Sequence, residues 1–415
     1  MKVNPVINNK QLKEYARISV LAYPGFNTTE EKLFERLQSV NKEDPNSIFY
    51  ICQRDENVLG GMRVIDYDMN YNGKFIKISG IGMVAVDLIN KKQGVAKTLL
   101  DEYLDISERN GQFIAMLYPF RPDFYYKMGF GYGQKYFNYS FLPESLPKSN
   151  EIGSVKYLNG DDLPLLADCY LRYCQSRHGF CKRSCFELKE FRKKFDKEGT
   201  VVGFKKNGRV DGYIYFVSKK CDEDNFLRHK LIIKEWIYNS PEAFNALAGF
   251  IHIQKDQYDF VEFDSQHKDF YYSLKDIRKS ELKISPNIAH KFADSGIGLM
   301  YRIVNVDKFI TKILSNYDIN CPDMEIALAI EDSFRPINQK IFRISISNEH
   351  IKLVSTQENP IQINMKISEF SSLMMGTTEL DTLYRLGKVK CNRKDISKLE
   401  CFFNFSKYPE CITKF

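Results

Sequence analysis

The sequence predicts an α+β / α/β protein: two successive units on mixed central sheets, followed by a third α+β unit. Three observations predict it. From Gln11 to Phe141, helical and strand periodicities follow one another in the order α-α-β-β-β-α-β-α-β. From Asp161 to Phe263 the opening of that order returns with negligible residue identity. From Leu299 onward strands come first and helices follow, the pattern of an α+β unit. At 415 residues the chain is long enough to bury several cores.

Gln11–Ala22 and Thr29–Val40 read as helices, the second with Leu33, Leu37 and Val40 at helical spacing and Thr28 or Thr29 as its cap. Ser47–Gln53 and Val58–Tyr67 read as strands. Asn72-Gly73 is a hairpin signal, and Phe75–Val86 is the third strand. Gly80 and Gly82 inside it point to a bulge or a close backbone approach. A short basic loop leads into a helix from about Gly94 to Glu108, stopped at Asn110-Gly111. Phe113–Pro119 is a strand, Pro122–Met128 a short helix, and Phe130–Phe141 a final aromatic strand.

Pro143, Pro147 and Ser149-Asn150 mark a linker. The second unit has helices at Asp161–Gln175, Ser184–Phe195 and Pro241–Gln254. Its strands are Thr200–Lys205, Arg209–Ser218, Arg228–Tyr238 and Tyr258–Phe263. A polar, lysine-rich crossing segment runs to about Ser295. The third unit opens with the strand Leu299–Val306 and closes with helices at Ser368–Met375, Glu379–Leu386 and from Ser397. The expected domains are 1–148, 149–295 and 296–415.

Composition excludes several functions. A net charge of +7 is spread along the chain, which argues against a nucleic-acid footprint. No apolar run approaches the ~18 residues of a membrane span, and the first residues lack the apolar core of a signal peptide. Ten cysteines without an export signal fit a reducing, cytoplasmic setting better than a disulfide framework. Cys169, Cys174, His178, Cys181 and Cys185 cluster, but their spacing is irregular and core cysteine explains them better than zinc; no metal is expected.

The chemistry concentrates between Phe75 and Phe130. A strand ending Val84-Ala85-Val86 feeds the loop Lys91-Lys92-Gln93-Gly94 and the helix start Val95-Ala96. Unpaired amides and the helix dipole make such a start an anion site, and two lysines add charge. One strand later stands Phe124-Tyr125-Tyr126-Lys127-Met128-Gly129-Phe130. The loop resembles the Q/R-x-x-G-x-G/A loop of GCN5-related N-acetyltransferases, with Lys for Arg and Ala for the last Gly. Val84-Ala85-Val86 matches that family's V-x-V strand end, and the aromatic stretch its F-Y-x-K-x-G-F signature. The resemblance implies acetyl-CoA as co-substrate, held by Val84, Ala85, Val86, Lys91, Lys92, Gln93, Gly94, Val95 and Ala96. It also implies that Tyr125 protonates the leaving thiolate.

The whole chain resembles the Eis (enhanced intracellular survival) family: an acetyltransferase unit, a degenerate second copy and a sterol-carrier-protein-like unit. Met300–Val306, Leu386-Gly387-Lys388-Val389 and the final Thr413-Lys414-Phe415 support it. The resemblance implies a homo-oligomer, a hexamer, and a catalytic role for the Phe415 α-carboxylate as base. Lys414 beside it, and Leu88 where many relatives have proline, depart from the pattern. The second unit's equivalent loop, Asn239-Ser240-Pro241, has neither glycine nor base. The expected acceptor is a primary amine of a small molecule, aminoglycoside-like or otherwise. The rivals are a lysine acceptor on a peptide or protein, and a non-catalytic lipid or small-ligand binder with a relic first unit. No nucleic acid or membrane partner is expected.

Overall fold

The structure, a computed structural model, describes residues 1–225, 227–278, 290–404 and 406–415. Part of the lysine-rich crossing segment, 279–289, thus lies outside the described residues. The chain forms two compact units. Met1–Gly133 and Gly298–Phe415 make one, and Gln134–Ile297 the other.

In the first unit, helix α1 (Asn9–Ala22) begins where the Asn8 side chain accepts from the Gln11 amide at 2.9 Å. Helix α2 (Glu30–Glu43) is capped by Thr29 and buries Leu33, Leu37 and Val40. Strand β1 (Lys2–Pro5), not anticipated from the sequence, borders β2 (Ser47–Arg54). Strands β3 (Asn57–Tyr71) and β4 (Lys74–Val86) form a long hairpin turned at Asn72-Gly73, both at positive φ. Helix α3 (Val95–Arg109) crosses back to β5 (Ile114–Leu117), which runs parallel to β4. Helix α4 (Pro122–Lys127) and the short β6 (Gly131–Tyr132) follow.

The last strands correct the sequence reading. Lys135–Phe141, expected to finish the first sheet, pairs instead with Phe260–Ser265 and Ala293–Ile297 in the sheet of the second unit. Met300–Ile303, expected to open the third unit, lies in the first sheet between β5 and β6, antiparallel to both. Both segments are short and contain aromatic residues that favour strands, so each suits either sheet; tertiary pairing decides. Among the described residues the second sheet has seven strands, and the C-terminal region carries a five-stranded sheet of its own. Both have parallel and antiparallel pairs.

Helix α3 packs Leu99, Leu100, Tyr103 and Leu104 against Met62, Val64 and Ile81 of the sheet, all essentially out of solvent. Each such aliphatic side chain contributes roughly 1.5–3 kcal/mol. The Tyr103 hydroxyl escapes burial without a partner by donating to the Ser79 carbonyl at 2.9 Å. The C-terminal region is tied to the same sheet through polar contacts. Tyr71 donates to the Met374 carbonyl at 2.7 Å, and Tyr317 to the Tyr71 carbonyl at 2.6 Å. Arg302, fully buried, bonds both Asp332 and the Met128 carbonyl at 2.5 Å.

Cys321 and Cys401 are disulfide-bonded, so the cysteines are not uniformly reduced here. Among the described residues no helix is long and apolar enough to cross a membrane.

Candidate active site

The site begins with a defect in β4. Gly61 pairs with Ala85 but Arg63 pairs with Gly82, so Met83 and Val84 together face Met62. This bulge carries Met83 at φ 51°, a left-handed conformation that needs support in a residue other than glycine. Two tyrosines supply it. Tyr15 donates to the Met83 carbonyl at 2.6 Å, and Tyr23, just past α1, donates to the Val84 carbonyl at 2.6 Å. Burial pushes both phenols well above their ordinary pKa, so both stay protonated donors.

The bulge pulls β4 away from β5. The two are paired only from Ser79↔Ala115 to Ile81↔Leu117. Beyond Ile81 and Leu117 they part around a cavity of about 270 Å³, with Gly82–Val84 on one side and Tyr118–Phe120 on the other. Tyr125 of α4 lines the same cavity. Its ring is held edge-on by Phe124 at 5.3 Å and Phe130 at 6.1 Å, and its carbonyl accepts from the Met128 and Phe130 amides. Its hydroxyl has no hydrogen-bond partner among the described residues. Burial pushes its pKa up to about 12, so it is a protonated, unengaged donor.

The other end of the chain completes the cavity. Tyr118 donates to the Thr413 carbonyl at 2.8 Å, seating the last residues. The Phe415 ring packs against Tyr67 at 5.6 Å and Tyr118 at 5.3 Å. Its carboxyl carbon lies 3.2 Å from where a Cβ would project from Gly82, and its ring 3.4 Å from the same point on Gly80. The two glycines singled out in the third strand therefore mark the seat of Phe415. The Lys414 side chain is exposed.

The cavity thus brings Val84, Tyr125 and Phe415 together, while Ala85 is buried in the sheet and Val86 ends it. Lys91, Lys92, Gln93 and Gly94 lie outside the cavity, exposed, after a 3₁₀ turn at Leu88–Asn90. Lys92 and Gly94 have φ of 63° and 86°, which folds the loop over the start of α3 at Val95 and Ala96. No side chain caps this helix, and a Cβ on Gly94 would meet only Met1, at 3.9 Å. Open amides, the helix dipole and exposed lysines fit a diphosphate such as that of coenzyme A. In the second unit the corresponding helix, Pro241–His252, is closed by Ser240, which accepts from the Ala243 amide at 3.2 Å.

Sequence reasoning missed Tyr15, Tyr23, Phe26, Tyr67, Tyr118 and Phe120. The available signals were aromatics flanking turns, Tyr23-Pro24-Gly25-Phe26 and Tyr118-Pro119-Phe120. In the 169–185 region Cys169, Cys174, Cys181 and His178 are buried, and burial pushes the Cys169 thiol up to about 12. Among the described residues no three His, Cys, Asp or Glu side chains stand together as a metal site.

The domains of this chain are recognisable among known proteins. Residues 6–133 match an acetyltransferase (GNAT) domain model, residues 179–303 a second GNAT model, and residues 310–412 a sterol carrier protein domain. The three-part build recurs in the crystal structure of Eis1 from Mycobacterium abscessus, with a TM-score of 0.78 at 17% identity over all of both chains. The chain is a GNAT N-acetyltransferase. The same fold is seen in a GCN5-related N-acetyltransferase from Anabaena variabilis, TM-score 0.81 at 18% identity over both full chains. A Streptomyces avermitilis protein named an uncharacterized N-acetyltransferase is 20% identical over 331 residues, 77% of this chain and 76% of its own length. In this chain the first GNAT domain holds the open loop and the cavity, and the sterol-carrier-like region delivers the segment that ends at Phe415.

Proposed function

We propose that the protein transfers an acetyl group from acetyl-CoA directly to a primary amine, with the chemistry confined to the first GNAT domain. The observation that carries this reading is the meeting of a free phenol, Tyr125, and a carboxyl group, Phe415, at the parting of β4 and β5.

Acetyl-CoA supplies the activated acetyl thioester. Lys91, Lys92 and the amides from Gly94 to Ala96 hold its diphosphate by charge and by the open helix start. The splayed edge of β4, with its bulge at Met83–Val84, offers backbone N–H groups to the acetyl oxygen. An incoming ammonium must lose a proton to become a nucleophile, and the Phe415 carboxyl group accepts it, directly or through water. Tyr125 donates toward the departing sulfur. A phenol at about 12 is a weak acid for a thiolate in water, but the same desolvation raises the basicity of the sulfur.

A thiol-release assay with acetyl-CoA and a panel of primary amines tests this. Amine-dependent release of coenzyme A, lost in Tyr125→Phe, is the expected result. Release no greater than background with every amine would contradict it and favour a non-catalytic binder.

A further inference from the structure

The second unit holds a cavity of its own. Its parallel pair of strands, His229–Tyr238 and Phe260–Ser265, is in register only from Lys230↔Phe260 to Ile233↔Phe263. Beyond it opens a cavity of about 430 Å³, with the turn Tyr238–Pro241 on one side and His267, Asp269, Phe270 and Ser273 on the other. Coenzyme A does not suit this place. Pro241 has no N–H to offer, Ser240 takes up the Ala243 amide, and Glu242 puts a carboxylate in the first turn, where a diphosphate needs open donors.

The lining suits a smaller molecule with a ring and two charges. Phe244 stacks on Trp236 with centroids 5.3 Å apart and meets Tyr238 at 5.0 Å, while Phe270 meets Trp236 edge-on at 5.7 Å. Rings locked in this way present a fixed apolar face. Arg177 enters the lining from the end of the helix Leu163–Ser176, its guanidinium 5.0 Å over the Tyr173 ring. Tyr139 fixes the segment that carries Asp269, donating to the His267 and Lys268 carbonyls at 3.1 and 3.2 Å. The Asp269 amide donates to Nδ1 of His267 at 3.2 Å, which leaves Nε2 as the donor of the neutral ring. The Asp269 carboxylate makes no hydrogen bond or ion pair among the described residues. The cavity of the first unit, by contrast, has no lining side chain that ionises near neutral pH.

We propose that the cavity of the second unit binds a small aromatic zwitterion, of the chemical class of a free aromatic amino acid. Arg177, charged at every physiological pH, pairs with the carboxylate. Asp269 pairs with the ammonium, and Tyr238, Phe244 and Phe270 take the ring out of water. The remainder of the site is apolar enough, and large enough, to enclose one such molecule. A ligand with only one of the two charges leaves the other protein group without its partner and forfeits a charge-assisted bond.

The test is calorimetric titration of the full chain, with coenzyme A in excess, by L-phenylalanine, 3-phenylpropionate and phenethylamine. L-Phenylalanine is expected to bind, and each singly charged analogue to bind at least about tenfold more weakly. Arg177→Met should bring phenylalanine down to the level of phenethylamine, and Asp269→Asn to that of phenylpropionate. Arg177→Lys, which keeps the charge, should retain most of the binding. The proposal is overturned if none of L-phenylalanine, L-tyrosine and L-tryptophan binds. It is equally overturned by a singly charged analogue that binds the wild-type chain as tightly as phenylalanine, or by a phenylalanine affinity that neither substitution moves. Each of these results leaves the acetyl-transfer reading standing, because that reading uses no residue of the second unit.

Discussion

The carboxyl carbon of Phe415 lies 3.2 Å from the point where a side chain would leave Gly82. These residues are brought together by the fold of one unit, since Gly82 is in the bulged strand and Phe415 follows the sterol-carrier-like region. The contact makes glycine at 82 a condition for the seat of the carboxyl group. Gly82→Ala needs only a shift of a few tenths of an ångström, whereas Gly82→Val must displace Phe415. Turnover is expected to fall modestly in the first and on the order of 10²-fold in the second, since ångström-scale misplacement is costly. Steady-state kinetics should show this with an acetyl-CoA dissociation constant that stays near wild type.

Tyr125→Phe removes the unengaged donor and leaves the ring packing. It is expected to reduce kcat by roughly 10²-fold or more with little change in acetyl-CoA affinity. The pH profile gives an independent check. Burial raises the Tyr125 pKa to about 12, so the acid form persists in alkali where a free phenol at about 10 would ionise. The wild-type rate should rise as the acceptor amine deprotonates and show no downturn near pH ~10. For stability the sign is that of an acid with a raised folded pKa: its contribution is complete below the unfolded value and is lost as pH rises through about 12.

Gly94 turns the loop proposed to hold the diphosphate, at φ 86° with open space around it. Gly94→Val imposes left-handed strain of about 1–2 kcal/mol on a β-branched residue. The loop should relax, raising the acetyl-CoA dissociation constant roughly tenfold. Calorimetric titration of coenzyme A distinguishes this from an effect on the acceptor.

Gly129 follows the aromatic stretch, and its importance comes from Arg302. A Cβ on Gly129 would stand 1.5 Å from Nη1 of Arg302, and Gly129 has φ 81°. The guanidinium passes through that space to the carbonyl of Met128, the residue that closes α4, while its other nitrogen holds Asp332. Gly129→Ala should therefore unseat a buried ion pair and the helix that carries Tyr125. A loss of about 3–5 kcal/mol is expected, as for a buried charge left without its partner. Urea unfolding followed by circular dichroism measures it.

Much of this was legible in the sequence because its causes are local. Asn72-Gly73, the Thr29 cap and the periodic face of α3 act within a few residues, so periodicity and turn chemistry found them. The turn at Lys91–Ala96 stood out because a glycine before a helix start is a local feature, and Tyr125 because three aromatics stand in succession. The exchange of Lys135–Phe141 and Met300–Ile303 between sheets was not, because each strand's own pattern is satisfied by either edge. Tyr15 and Tyr23 were also hidden. Their roles depend on a bulge in a strand more than sixty residues away in sequence, which no local pattern encodes.

The central claim is that the carboxyl group of Phe415 accepts the proton of the attacking amine. The most direct measurement is kcat/KM for acetyl transfer in a chain extended beyond Phe415 by Gly-Ser-Gly, alongside its coenzyme A affinity. Displacing the carboxyl group is expected to lower kcat/KM by about 10²–10⁴-fold while coenzyme A still binds. Undiminished turnover in the extended chain would contradict the account.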